Sequence, residues 1–207
     1  MSLVPPRPEV KTSCTSGQFV LAVGPPGSGK STWADYMEEQ GWWVVRPDLI
    51  RWNTFREDFH IMVEPEVWTI VGASLNGLFK LRSQAGRGPD RVLLDATSLT
   101  RTLRARWIRL ARSHGFCSKA AVFAVSLAEC LVRNASRKRR VPEDVLRRLY
   151  SEWEFPWYDE GLGAIRLLVP PRGVLPDEVV AKALARVPDL TRERLESMAQ
   201  EPRENEF

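Results

Sequence analysis

The sequence predicts an α/β protein: a central parallel sheet with helices on both faces, plus a C-terminal helical extension. Two observations carry that prediction. Short apolar runs at 19–23, 42–45, 92–95, 120–125 and 165–169 alternate with longer segments of helical periodicity. Strand–helix alternation of this kind is the pattern of a parallel sheet whose crossovers cover it. The second observation is a glycine-rich turn between the first run and the first helix, Gly24-Pro25-Pro26-Gly27-Ser28-Gly29-Lys30-Ser31. A length of 207 residues suits one domain with a substantial core.

Each element has its own justification. Residues 1–17, rich in Pro, Ser and Thr, read as a loose leader. Phe19–Val23 reads as a buried strand, and Thr32–Glu39 as the helix that follows the turn. Trp42–Val45 forms a second strand that runs into Arg46-Pro47-Asp48-Leu49-Ile50-Arg51. Pro47 disfavours helix before it, and Asp48 is placed to begin a new one. Val67, Ile70, Val71, Leu75, Leu78 and Phe79 set a helical period over 64–84, broken by Gly86-Arg87-Gly88-Pro89-Asp90. Val92–Asp95 is the third strand. Leu103, Trp107, Ile108 and Leu110 alternate with arginines in an amphipathic helix over 100–113. Ala120–Val125 is the fourth strand, followed by a helix over 127–137, a basic loop, and a helix from Pro142 to Tyr150. Ile165–Val169 is the fifth strand. Pro170-Pro171-Arg172-Gly173 closes the domain, and 175–199 holds one or two appended helices. The implied organisation is a leader (1–17), a main domain (18–170) and a helical extension with a tail (171–207).

Composition narrows the function classes. The 43% hydrophobic and 27% charged content is ordinary for a globular chain. No apolar run approaches the roughly 20 residues that cross a bilayer, so no membrane is expected. The first residues lack the apolar centre of a signal peptide. Cys14, Cys117 and Cys130 show no metal-ligand spacing. They imply a reduced, cytoplasmic setting, with Cys117 and Cys130 as core residues. The net charge of +4 comes largely from clustered arginines, at Arg101–Arg112 and Arg133–Arg140. Such clusters suit a polyanion, though many are only solvated helix faces.

The turn at Gly24–Ser31 fits G-x-x-x-x-G-K-[ST] in its required strand–turn–helix context. Gly24 and Gly29 permit tight turning and close approach, while successive N–H groups and the helix N-terminus offer positive charge to phosphate oxygens. The alternative is a glycine-rich turn with no ligand; motif and context together favour a nucleoside triphosphate. Its binding set is Gly24, Pro25, Pro26, Gly27, Ser28, Gly29, Lys30, Ser31 and Thr32. Lys30 reaches the β- and γ-phosphates, and the Ser31 hydroxyl ligates Mg²⁺.

Three further constellations lie at strand ends or in the basic loop. Asp48 and Arg51, three apart, share one face of a helical turn. Asp48 is either a base for an acceptor hydroxyl, with Arg51 on an acceptor phosphate, or simply a helix N-cap with a surface neighbour. Asp95 follows an apolar strand, as a carboxylate near Mg²⁺ or the acceptor does; it could instead cap the loop Asp95-Ala96-Thr97-Ser98. Arg133 and Arg137, four apart, either close over the donor phosphates or form an exposed basic face.

Taken in order from about residue 18 to 169, these motifs resemble the P-loop polynucleotide 5′-hydroxyl kinases, the kinase modules of phage and animal end-healing enzymes. The matching stretches are GPPGSGKSTW, Pro47-Asp48 with Arg51, Leu93–Leu99, Arg133-Asn134-Ala135-Ser136-Arg137, Val141-Pro142, Val145–Tyr150, and Phe155-Pro156 through Glu160-Gly161. The resemblance implies a P-loop kinase fold that uses ATP or another NTP with Mg²⁺. It implies Asp48 as general base on the 5′-hydroxyl, Arg51 on the phosphate 3′ of the terminal nucleoside, and Arg137 as the lid arginine aided by Arg133. Asp95 and Thr97 fall at the acceptor. Ser98 stands where many relatives have Asn, and Arg137-Lys138-Arg139-Arg140 leaves the lid register open by a residue or two.

The implied partner is a 5′-OH DNA or RNA strand. No phosphatase or ligase motif is visible, which implies a kinase-only chain. The Arg101–Arg112 helix and Trp52 are candidates for strand contact, core packing being the other fate of Trp52. Two other readings compete: a P-loop kinase of a small metabolite or nucleoside, and a nucleotide-dependent binding module. The helical tail could pack on the core, pair two subunits or dock a partner.

Overall fold

The computed structural model describes residues 15–56, 61–169 and 174–200. Five strands, β1 (Gly17–Val23), β2 (Trp43–Val45), β3 (Arg91–Leu94), β4 (Phe116–Phe123) and β5 (Ala164–Leu168), form one parallel sheet in the order β2-β3-β1-β4-β5. Eight α-helices are described: α1 (Lys30–Glu39), α2 (Pro47–Phe55), α3 (Glu64–Ala85), α4 (Arg101–Ser113), α5 (Leu127–Ala135), α6 (Glu143–Ser151), α7 (Asp177–Arg186) and α8 (Arg192–Gln200). A 3-10 turn spans Tyr158–Glu160.

The strands alternate side chains between two cores, as a period of two requires. Phe19, Leu21 and Val23 of β1 enter the larger cluster with Val92 and Leu94 of β3, Ala120 and Val122 of β4, and Ile165 and Leu167 of β5. Val20 and Ala22 face the opposite way with Leu93, Ala121 and Phe123, covered by Ala34 and Met37 of α1. Helices therefore cover both faces, as the alternation predicts. The larger cluster also takes Val179, Val180 and Ala183 of α7 and Leu195 and Met198 of α8. The last two helices thus pack into the same core as the sheet.

Three expectations change. The helix expected over 127–137 ends at Ala135, because Asn134 turns its side chain onto the chain beyond. Its Nδ2 donates to Val141 O (2.7 Å), and Val141 N donates to its Oδ1 (3.0 Å). Arg133 and Arg137 therefore do not share a helix face. Asp48 is not an N-cap either: Arg46 caps α2, Pro47 opens it, and Asp48 lies in its first turn. Cys117 is a buried core residue as expected but is disulfide-bonded, against the expectation of a reduced setting; Cys130 is a free, buried thiol. The expected leader lies outside the described residues through position 14, and Gly17 already belongs to β1. The domain-closing Pro170–Gly173 stretch also lies outside them. No described helix is long and apolar enough to cross a membrane.

Candidate active site

A cleft of about 980 Å³ is lined by residues from the glycine-rich turn and from the ends of the strands on one side of it. Brought together there are Pro26, Gly27, Gly29, Lys30, Ser31 and Thr32 after β1, Asp48 and Arg51 after β2, Asp95 and Thr97 after β3, and Arg133 and Arg137 from α5 and its following loop. Topology explains the convergence, because parallel strands deliver their carboxyl ends to one edge. Backbone bonds hold the loops in register: Gly24 N donates to Thr97 O (3.1 Å) and Asp95 N to Val45 O (3.0 Å).

The turn needs its glycines. Gly27 and Gly29 have φ of 82° and 103°, a region that disfavours other L-residues. A Cβ on Gly27 would lie 2.5 Å from the carbonyl oxygen of Cys130, so α5 packs directly against the turn. Lys30 is 8% exposed, and its Nζ donates to Pro25 O (2.7 Å) and Ser28 Oγ (3.3 Å). Burial lowers its pKa to about 8, against the opposing charge of Asp95. Burial likewise raises the Asp95 carboxyl, opposed by Lys30 and by a hydrogen bond with the Ser31 side chain.

Ser31 and Asp95 are thus neighbouring hard oxygen donors. Among the described residues no cluster of three or more His, Cys, Asp or Glu could hold a metal alone. The pair suits Mg²⁺, which binds through one or two protein oxygens and completes its shell with water and substrate phosphates.

Asp48 projects into the cleft, with its side chain 68% exposed. Arg51 is 4% exposed and holds it: Nη1 donates to Asp48 Oδ1 at 2.5 Å, while Nε and Nη2 donate to Glu64 Oε1 and Oε2 at 2.6 and 3.0 Å. Burial alone would lower the Arg51 pKa, but the hydrogen bonds to Glu64 and Asp48 prevail and raise it. Three of its five N–H donors are engaged in these bonds, one on each nitrogen, and a second N–H remains on each of Nη1 and Nη2. Glu64 escaped the sequence reading, since thirteen positions across a loop leave no periodic signal.

Arg139 also escaped it. It lines the cleft, and its Nη1 lies 3.4 Å from Asp48 Oδ2; only the repeated arginines of the loop hint at it. Arg133 Nη1 donates to Ser28 O (3.4 Å), and the same side chain is paired with Glu129. Trp33, Tyr36 and Trp68 form aromatic walls that the motifs did not signal.

Other expectations do not converge on the cleft. Trp52 is half exposed rather than in the core, and it does not line the cleft. No residue of α4 lines it either. Arg104 instead lies fully buried, forked onto Glu160 at 2.7 Å through both Nε and Nη2, and Arg101 pairs with Asp159 (3.0 Å). Ser98 has φ of 45°. Asn is several-fold enriched in that region, so this backbone position would suit Asn as well as the Ser it holds.

Comparison with solved structures supports the fold. The chain matches a Pnkp1/Rnl/Hen1 complex structure with a TM-score of 0.50 and 24% identity, over 61% of this chain and 41% of that one. It matches a gluconokinase from Sinorhizobium meliloti 1021 with a TM-score of 0.50 and 19% identity, over 83% and 93%. It also matches Chaetomium thermophilum Kti12 in complex with ADP-AlF3, with a TM-score of 0.55 and 16% identity, over 79% and 98%. A family model described as an AAA domain matches residues 19–156. This span runs from β1 through the P-loop and the Asp48 and Asp95 strand ends to the chain beyond α6, and this chain belongs to that family, with a P-loop kinase-like domain.

Proposed function

We propose that this chain transfers the γ-phosphate of ATP, or of another nucleoside triphosphate, to the 5′-hydroxyl of a DNA or RNA strand. The observation that carries the transfer reading is a carboxylate, Asp48, sharing one cleft with the P-loop cation Lys30. Transfer needs a donor phosphate and an acceptor hydroxyl brought in line, with charge stabilised at the phosphoryl group.

In this reading the N–H groups of Gly27–Ser31 cradle the donor. Lys30 exchanges its bonds to Pro25 O and Ser28 Oγ for phosphate oxygens. Ser31 and Asp95 hold Mg²⁺, which when bound supplies charge neutralisation on the donor phosphates. Asp48 accepts the proton of the attacking hydroxyl, while Arg51, fixed by Glu64, orients it. Arg133, Arg137 and Arg139 bring positive charge from the α5 side. Polynucleotide as acceptor is supported by the ordered resemblance of these motifs to polynucleotide 5′-hydroxyl kinases.

A second reading, a small hydroxylated acceptor, is favoured by the burial of Arg51, which is 4% exposed and already bound to Asp48 and Glu64. The gluconokinase match over 83% of this chain supports it too. The deciding experiment offers γ-labelled ATP and Mg²⁺ to a 5′-OH DNA strand, a 5′-OH RNA strand, a 5′-phosphate strand, a nucleoside and gluconate. Label confined to the 5′-OH strands is the expected result. Label on gluconate or the nucleoside alone would replace the polynucleotide reading with the second.

A further inference from the structure

A second concavity, of about 610 Å³, runs between α3 and α4, lined by neither the P-loop nor Asp48. Thr69, Ala73 and Asn76 face it from α3; Arg106, Arg109 and Ser113 face it from α4. Both sets follow i, i+3/i+4, i+7 spacing, so each helix offers one continuous stripe. No carboxylate lines the groove.

The two arginines differ from Arg101 and Arg104 of the same helix. Arg101 and Arg104 are neutralised by Asp159 and Glu160. Among the described residues no carboxylate forms an ion pair with Arg106 or Arg109, and both are exposed. The Arg106 guanidinium lies over the Trp107 ring, 4.5 Å from its centroid, which fixes its position without cancelling its charge. Gly72 makes room for it: a Cβ there would lie 3.3 Å from Arg106 Nη2. A glycine inside a helix is disfavoured relative to alanine, and at this position it leaves the Arg106 guanidinium space against α3.

The groove also adjoins the cleft. Trp68 lines the cleft, and its ring centroid lies 6.1 Å from that of Trp107, which lines the groove.

We infer that the α3–α4 groove is the track for the phosphodiester backbone of the acceptor strand beyond its reacting end, with Arg106 and Arg109 on successive phosphates. This rests on the polynucleotide reading above. Exposed guanidinium groups with no carboxylate partner among the described residues match a phosphate backbone, which carries charge without sequence. The Thr69 and Ser113 hydroxyls donate to Pro65 O and Leu110 O of their own helices, so the arginines carry the recognition.

The test compares the wild-type chain with Arg106→Ala/Arg109→Ala on a long 5′-OH single strand and on a dinucleotide acceptor. Binding is read by fluorescence anisotropy against salt, and transfer by γ-label. The double variant is expected to bind the long strand several-fold more weakly. Its slope of log K against log salt should shrink by about 1.4, two contacts at roughly 0.7 each for single strands. The KM for the dinucleotide and kcat on both acceptors should hold, and Arg106→Lys/Arg109→Lys should restore most of the slope. Unchanged long-strand binding, or an equal loss on both acceptors, would overturn the groove while leaving the kinase reading standing. Binding of an acidic polypeptide as tightly as the strand, with the same loss in the double variant, would overturn it in favour of a protein partner. No transfer by wild type to any 5′-OH strand would overturn the functional reading itself.

Discussion

Lys30 sits where two demands oppose each other. Burial beside the P-loop lowers its pKa to about 8, yet holding phosphate requires its charge. The unfolded chain keeps this lysine protonated to a higher pH, so between about 8 and 10.5 it binds more protons than the folded one. Unliganded stability therefore gains from this group as pH rises through that window. Nucleotide affinity should move the other way, weakening as pH climbs past about 8, whereas Lys30→Met should bind weakly at every pH with that inflection gone. Titration calorimetry with ATP from pH 7 to about 9.5 checks this, and an inflection surviving in Lys30→Met would assign it elsewhere. Asp48 makes a separate demand. Asp48→Ala should leave ATP binding near the wild-type level and lower the transfer rate by roughly 10²–10⁴. Near-full activity in single-turnover assays would remove Asp48 from the chemistry.

Elements are joined here by buried charge, and Arg104 shows how much that hides from sequence. Its spacing in the α4 cluster read as one more basic residue on an amphipathic helix. In the structure its Nη1 donates to the carbonyls of Ser98, Leu99 and Glu154, and its fork grips Glu160. It thus ties α4 to the loop after β3 and to the 3-10 turn before β5. Nothing local marks that role, because a partner fifty-six residues away leaves no period. Glu64 is unreadable for the same reason. The strands and the P-loop were legible because apolar runs and glycine-rich turns are local signals, and parallel pairing then brought Asp48 and Asp95 to one edge. The end of α5 was less so, since the Asn134–Val141 clamp acts beyond the helix itself. Breaking a buried pair strands an uncompensated charge, at about 3–5 kcal/mol. Arg104→Met should therefore lower stability by that order in urea denaturation, while Arg104→Met/Glu160→Leu recovers a substantial part. A double variant no more stable than the single one would mean the carbonyl contacts, rather than the ion pair, carry the cost.

The whole molecule closes through its last two helices. Glu178 of α7 accepts from Leu127 N (3.0 Å) at the start of α5 and hydrogen-bonds with the Tyr150 hydroxyl (3.1 Å) of α6. The C-terminal segment therefore braces the helix that packs on Gly27 and carries Arg133. Its apolar faces are spent on its own chain: Leu175, Val179, Val180, Leu190, Leu195 and Met198 are buried in the larger core. At roughly 1.5–3 kcal/mol for each such side chain, their removal forfeits on the order of 10 kcal/mol, against a total stability of about 5–15 kcal/mol for a domain of this kind. A chain ending after Val169 should consequently fail to fold cooperatively, although it would keep the P-loop, Asp48, Asp95 and every strand. Leu195→Ala alone should cost about 2–5 kcal/mol. Thermal unfolding by circular dichroism separates the outcomes. A sharp transition in the truncated chain would make the last helices an accessory, free to serve a partner. Its loss, together with a lowered midpoint in Leu195→Ala, would make them part of the kinase-like domain, and the stability of the cleft would then depend on residues more than a hundred positions from its P-loop.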